Sequence, residues 1–432
     1  MTERPGASHP DLLKPAGPNL GLAPPRGTVG PRRGMFSSVR HRPFRNYLVG
    51  LFLSNIGSWM QTVAQGWLVL RISDSALVLG LVTFAGSIPT LLLAPFAGIA
   101  ADRFDRRRLL MITQTVQMAA ALSLAAAVYW KFASVTLVAV FAVVNGIANA
   151  YTTPSHQSLF IDLVGRSDLM NAIALNSMQF NLSRVIGPVI AGFTIAAFGE
   201  TACFLLNAVS FVAFLIAIAG LPPLHRPVRR TRGAWIDLRI GLRFAWRDSL
   251  LPPLVLLSAS LALFATPAVT LAPLYARKLL GVGPRGLGGM LCAVGIGAVA
   301  TALAMAWMGD FARKGLFLLA ASSAFALSLV GLALAPSFAT ALVSLAVFGG
   351  AMMSSSSIIN TLMQTRAPDK LRGRIISLYA LAWSGFVPLG NLQAGIIAEH
   401  FGPAASLYVG GAGIAATLIL IRMTMPIGAD VR

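Results

Sequence analysis

The sequence predicts an all-α membrane protein of twelve transmembrane helices arranged as two pseudosymmetric six-helix bundles. Three observations carry this. Of 432 residues, 11% are charged and 56% hydrophobic, whereas a soluble globular chain carries about 25% charged residues. Long stretches lack charge: 75–101 and 316–365 hold no acidic or basic residue, and 132–160 holds no acid, Lys or Arg. Finally, landmark residues recur in the two halves at nearly one offset.

A bilayer core of about 30 Å takes about 20 apolar residues per helix, because in lipid a helix satisfies its own backbone groups. Helices are expected at 46–71, 76–101, 109–129, 134–156, 171–197, 200–220, 252–276, 285–308, 316–335, 338–364, 374–398 and 404–424. The uninterrupted runs exclude a membrane barrel, whose strands alternate polar and apolar residues. Residues 1–43 are rich in Pro, Gly and Arg without an apolar segment, and are expected to be a disordered basic tail. Residues 44–220 and 252–424 would be the two bundles, 221–251 their connector, and 425–432 the C-terminus. The two cysteines, Cys203 and Cys292, both fall in expected helices. Neither a disulfide framework nor a metal site is expected, and no cofactor.

The net charge of +20 raises the question of a nucleic-acid partner, and its distribution answers it. Of 34 Lys and Arg residues, 28 fall on the side of the termini. Five fall on the other (Arg71, Lys131, Arg277, Lys278, Arg285), and Arg184 lies within a helix. The positive-inside rule puts both termini in the cytoplasm of a bacterial-type inner membrane. The basic residues then face the anionic inner leaflet, and no nucleic-acid partner is expected.

The halves read as copies. Gly192 pairs with Gly395 (offset 203), Gln157 with Gln364 (207) and Asp102 with Asp310 (208). Carriers commonly contain such repeats, with the substrate site at mid-membrane between them. In the connector, Arg239, Arg243 and Arg247 share one helical face beside Leu238, Leu242, Ala245 and Trp246. This stripe reads as an amphipathic helix on the inner leaflet.

The strongest local signal is GIAADRFDRRR, which fits G-x-x-x-D-R-x-x-R-R with Gly98, Asp102, Arg103, Arg106 and Arg107 in place. Gly98 permits close helix approach, Asp102 can accept hydrogen bonds at a helix N-terminus, and the arginines can pair with acids or lipid phosphates. This motif resembles the loop 2–3 signature of the major facilitator superfamily, and the resemblance covers about residues 40–425. In the second-half copy Asp310, Arg313 and Lys314 remain, but Ala306 and Phe311 replace the glycine and first arginine. The resemblance implies the major facilitator fold, and a role for Asp102 in clasping the halves on the cytoplasmic side. RPFRNYLVGLFLSNIGSWMQTVAQGWLV, LVGRSDLMNAIALNS, NLSRVIGPVIAGF and DKLRGRIISLY further resemble the enterobactin-exporter and macrolide-efflux branch. Export of a small molecule (siderophore, drug or other natural product) and coupling to a proton gradient are implied by that resemblance alone.

Polar residues inside the helices are the candidate cavity. A central Arg184 costs about 2.5–3.5 kcal/mol on insertion scales, so it should face the bundle interior. There it either attracts an anionic or hydrogen-bond-accepting substrate or serves as a structural arginine. Asn55, Gln61 and Gln65 on helix 1, and Asn145 and Asn149 on helix 4, either contact substrate or bridge helices. Trp59 and Trp67 either stack on substrate or pack, and Tyr129 and Trp130 read as an interfacial belt. Gly146, Gly187, Gly192, Gly349 and Gly350 read as close-packing positions, and Pro188 and Pro388 as helix bends. No Asp or Glu falls at mid-membrane, which leaves His156, Asp162 and Asp102 at the margins as titratable candidates.

No phosphate-binding G-x-x-x-x-G-K-[ST] loop and no H-E-x-x-H or G-x-S-x-G motif occurs, so neither an ATP-driven pump nor an enzyme is expected. The surviving alternatives to a monomeric exporter are an importer of a small organic solute on the same fold, a channel, and a transport-inactive receptor.

Overall fold

The computed structural model describes residues 37–221, 242–265, 267–309, 313–368 and 371–424. Helices α1 (Arg42–Ser73), α2 (Ala76–Arg103) and α3 (Arg106–Tyr129) are followed by a continuous helical run, Val135–Ala219. That run leaves helical dihedrals only at Gly165 (φ 71°) and Gly199 (φ 76°). These breaks divide it into α4 (135–164), α5 (166–198) and α6 (200–219). The second half comprises α7 (Leu251–Phe264), α8 (Pro284–Met308), α9 (Lys314–Ala333), α10 (Phe338–Arg366), α11 (Arg372–Phe401) and α12 (Pro403–Thr424).

Among the described residues, ten helices are long and apolar enough to cross a membrane. One of them, Ser167–Ala219, has 53 residues. At 1.5 Å per residue it would stretch about 80 Å, so the Gly199 break turns it back as α5 and α6. Helix α1 is not among the ten. Its 32 residues carry the polar line of Asn55, Gln61 and Gln65. Gly199 and Gly402 (φ 87°) lie 203 apart (402 minus 199) and reverse the chain at equivalent places. Both adopt a left-handed conformation that costs a Cβ-bearing residue energy. Side-chain caps start several helices: Ser75 accepts from Val78 N, Asp105 from Arg108 N, and Ser337 forms a capping box with Thr340.

Three expectations are corrected. Helix 4 does not stop at 156, nor does helix 5 wait until 171. Charge ends a membrane span but not a helix, so the chain stays helical past the apolar part and bends only at Gly165. Helix 7 is not continuous to 276. It breaks after Phe264, where Pro267 cannot donate to the ladder, and proceeds through short turns and a π-turn at Tyr275–Leu279. Residues 37–43, assigned to the tail, are ordered. Ser37–Arg40 is a 3-10 turn whose Ser37 Oγ donates to Asp168 (2.9 Å), and His41 Nε2 lies 3.0 Å from the same carboxylate. The rest of the tail, most of the connector including Arg239, the residue Asp310 and the segment 425–432 lie outside the described residues. Of the connector, residues 221 and 242–251 are described, with one helical turn at 242–245.

The two halves meet tightly at one face. There the π-turn of the second half reaches the end of α1: Arg277 donates to Leu70 O (2.8 Å), and Lys278 lies 3.4 Å from the Asp74 carboxylate. Glu399 at the end of α11 accepts from Ser75 Oγ, Ala76 N and Leu77 N (3.0, 2.7 and 3.2 Å), capping α2 across the interface. Behind these contacts two helix pairs cross almost backbone to backbone. A Cβ added at Gly395 of α11 would lie 2.9 Å from Gly80 Cα of α2, and one at Gly192 of α5 would lie 3.0 Å from Gly288 Cα of α8.

Toward the opposite face, where the termini lie, the glycines of α2 and α11 make no such crossing. Met178, Phe180 and Leu182 of α5 and Leu303 and Trp307 of α8 are exposed. A Cβ at Gly98 or Gly373 would meet nothing within 4 Å.

Candidate functional site

The first half holds a cavity of about 610 Å³ whose lining comes from α1, α3, α4, α5 and α6. Along α1 it runs from Leu51 to Gln65, about 20 Å at the helical rise. Thr62, Asn149, Thr153 and Phe180 line its exposed rim.

Carboxamides dominate the lining. All five predicted amides are there: Asn55, Gln61, Gln65, Asn145 and Asn149. Helical spacing explains their convergence, since residues four apart share a face. Five further carboxamides join them that were not expected from the sequence: Gln114, Gln117, Asn176, Gln179 and Asn207. The available signal was an amide within an apolar helix, most plainly Gln114 and Gln117 three residues apart on α3.

Much of the amide set is internally paired. Asn207 Nδ2 donates to Gln61 Oε1 (2.6 Å), and Asn55 Nδ2 donates to Gln179 Oε1 (3.1 Å). Gln179 in turn donates to Asn176 Oδ1 (3.0 Å), and Gln114 Nε2 donates to Gln117 Oε1 (3.1 Å). Gln114 Oε1 itself is buried with no hydrogen-bond partner among the described residues. The surface therefore offers fixed dipoles, with some acceptors and donors left for a guest.

Arg184 is not in this lining but stands beside it. Its guanidinium carbon lies 5.8 Å from the centre of the Trp59 ring, within cation–π range, and Trp59 lines the cavity. Arg184 also reaches Met352 Sδ of α10 at 3.6 Å, so it spans the seam between the halves. Among the described residues no carboxylate pairs with it. The neighbouring backbone holds it there. Gly187 lets α5 approach α1, where an added Cβ would lie 3.0 Å from Ile56 O, and Val185 packs on Gly295 of α8. Trp67 packs against the core.

In the motif after α2, an arginine makes the expected pairing with an acid and Gly98 does not make the expected helix approach; the Asp102 side chain lies outside the described residues. Gly98 sits at no close helix crossing in this conformation. The residue that caps α3 is Asp105; Asp102 lies in the last turn of α2. Arg106 Nη1 pairs with Asp162 Oδ2 of α4 at 2.6 Å, Arg107 donates to Ala219 O of α6, and Arg103 is exposed. In the second-half copy, Arg313 adopts φ 65° at the start of α9, just ahead of Lys314. The helices continue through Pro188 and Pro388 without a break. Gly146, Gly187, Gly192, Gly349 and Gly350 all lie at close approaches.

Two helical bundles that meet glycine to glycine at one face, one of them holding a polar cavity, fit the class of membrane carriers. Within that class the chain belongs to the Transmembrane secretion effector family of the major facilitator superfamily, which it matches over residues 33–431. It is similar to the staphyloferrin A transporter of Staphylococcus aureus, 25% identical over 81% of this chain and 88% of that protein. It is also similar to the multidrug efflux pump Tap of Mycolicibacterium fortuitum (29% identical, 90% and 94% covered) and to the enterobactin exporter EntS of Salmonella typhi (23%, 89% and 92%). Its fold is that of the nucleoside transporter NupG, with TM-score 0.72 at 12% identity over 89% of this chain and 99% of that one. The D-xylose-proton symporter gives TM-score 0.70 at 16% identity, over 91% and 99%.

Proposed function

We propose that this protein is a secondary active transporter that exports a small molecule across the inner membrane by alternating access in exchange for protons. The open face is cytoplasmic, with both termini on it, and the sealed face is the outer one. The basic residues crowd the first and anionic lipid meets them there. The protein acts as a monomer, since each chain holds a complete cavity, and it is not an enzyme. Three of its relatives are a siderophore transporter, a siderophore exporter and a drug efflux pump, which supports the export direction.

One observation carries the substrate reading: a carboxamide-lined cavity with a cation, Arg184, beside its aromatic wall and no carboxylate paired with it among the described residues. Neutral amides bind hydroxyl, carbonyl and amide groups without a strong charge preference. Arg184 adds attraction for a carboxylate or catecholate, strengthened because little water screens it. The preferred cargo is accordingly a polyfunctional hydrogen-bonding molecule with anionic character. In this reading Arg184, Asn55, Gln61, Gln65, Asn145 and Asn149 contact cargo. The motif Gly98, Asp102, Arg103, Arg106 and Arg107 closes the open face in the alternate state.

The test compares cellular retention of staphyloferrin A, enterobactin and ethidium in cells with and without the gene. Lower retention of a siderophore in expressing cells is expected. Equal retention of all three, or higher retention in expressing cells, refutes export.

A further inference from the structure

Among the described residues no Asp or Glu lines the cavity, yet exchange for protons requires a group that binds and releases one. At the end of the cavity marked by Leu51, Phe160 and Phe214 stands His156, the single ionisable side chain in the described lining. Its Nδ1 is hydrogen-bonded to the hydroxyl of Tyr47 on α1, and Tyr47 is fully buried. Phe214 of α6 stacks on the imidazole (centroids 5.6 Å apart, 22° between planes) and packs against Tyr47 (5.3 Å).

The described groups around this dyad are neutral on every side. Tyr47 faces it from α1, Phe214 from α6 and Phe160 from the next turn of α4, while Gln114 and Gln117 of α3 share the cavity. The nearest acid along α4, Asp162, is engaged by Arg106 at 2.6 Å. Arg184 belongs to α5 and lies over the Trp59 ring, its guanidinium carbon 5.8 Å from the ring centre.

We infer that the Tyr47–His156 dyad is the proton-binding site of this carrier. The inference rests on the proton-exchanging export proposed above.

The dyad suits both charge states without moving a heavy atom. With imidazole neutral, the Tyr47 O–H donates to Nδ1. When Nδ1 takes a proton, its N–H donates to the Tyr47 oxygen and the hydroxyl hydrogen turns away. One proton is gained and one positive charge appears, which the π face of Phe214 partly offsets. His156 lines the cavity together with the exposed Thr62, Asn149 and Thr153, and in the proposed cytoplasm-open state a proton would leave through it toward the termini face. The same cavity, once closed there and opened at the Glu399 face, would let a proton enter from outside. Carrying the charge on a histidine also leaves the cavity free of a fixed anion, which would repel an anionic cargo.

Two measurements on the full-length protein in lipid bilayers decide this. First, with histidine-labelled protein, nuclear magnetic resonance follows the His156 ring nitrogens across pH, assigned by their loss in His156→Gln. One protonation step at Nδ1 is expected, and Tyr47→Phe should move its midpoint because it removes the alternating partner. Ring nitrogens that keep one state over the whole pH range in which the protein stays folded, or a midpoint indifferent to Tyr47→Phe, overturn the site. Second, in proteoliposomes loaded with staphyloferrin A as probe, one pH unit drives at most about a tenfold accumulation by one-for-one exchange. His156→Gln should reduce it to the level without a gradient, and gradient-driven accumulation that survives in His156→Gln overturns the inference. A wild-type protein that ignores the gradient refutes proton-coupled export of this probe, and the resonance measurement alone then decides whether the dyad binds a proton.

Discussion

The crossing of α2 and α11 makes a quantitative demand. In the sealed state, a methyl group at Gly395 would lie 2.9 Å from Gly80 Cα and 3.0 Å from Ala76 O. Both are backbone atoms, which cannot swing aside as a side-chain tip can. Comfortable contact begins near about 3.5 Å, so Gly395→Ala must part the two helices by about half an ångström. Overpacking of this kind costs about 1–3 kcal/mol. If the alternate state separates the helices, it escapes the cost, and the substitution then favours outward opening by about 5- to 150-fold.

The assay is a distance distribution between spin labels at Ile72→Cys and His400→Cys, after replacing Cys203 and Cys292 by serine. Gly395→Ala should enlarge the long-distance population. Gly98→Ala should not, because its methyl meets nothing within 4 Å here. An unchanged distribution in a folded Gly395→Ala protein would refute the gate argument. So would an equal response to Gly98→Ala.

Three further outcomes are expected. Arg184→Leu should abolish siderophore export while the protein still reaches the membrane; wild-type rates in vesicles would remove Arg184 from the mechanism. Glu399→Gln should loosen the sealed face in the same direction as Gly395→Ala but more weakly, by under about 1 kcal/mol, because the carboxylate is exposed and screened; the same spin-label pair reads it. Gln61→Leu should lower thermal stability by about 1 kcal/mol through the stranded Asn207 donor, and adding Asn207→Leu should restore part of the loss in a melting experiment.

Much of this was legible in the sequence, for identifiable reasons. Long apolar runs have few alternatives to membrane helices, so most helices are found within a few residues of their expected places, with helices 4, 5 and 7 the exceptions. The helix 1 and helix 4 amides converge because the helical period is fixed. What escaped depends on tertiary choice. Gln114, Gln117, Asn176, Gln179 and Asn207 look individually like ordinary helix-bridging amides, and only the packing of five helices shows that they surround one space. The break in α7 follows from Pro267, yet Pro154 and Pro188 sit inside continuous helices, so proline alone does not announce a break. The open face, too, is a state of the molecule rather than a property of the motif. That is why Gly98, a close-packing glycine by its motif, stands clear of its neighbours.

The duplication supplies the last step. Gly80 and Gly288 lie 208 apart (288 minus 80), and Gly192 and Gly395 lie 203 apart (395 minus 192), the offsets that relate Asp102 to Asp310 and Gly199 to Gly402. The α2–α11 and α5–α8 crossings are therefore images of one another. Two equivalent contacts, one on each side of the pseudo-twofold axis, define a line about which the halves can rock. Side-chain interdigitation would resist that rotation, whereas glycine against glycine leaves smooth surfaces that can part and close again. The chemistry does not share the symmetry. The carboxamide cavity is lined wholly by the first half, and the position equivalent to Arg184 is about Val387 (184 plus 203). Duplication gave both halves the hinge, while selectivity was free to concentrate in one. Exchanging cavity residues of α1 or α4 should thus change what is carried without disturbing how the halves move.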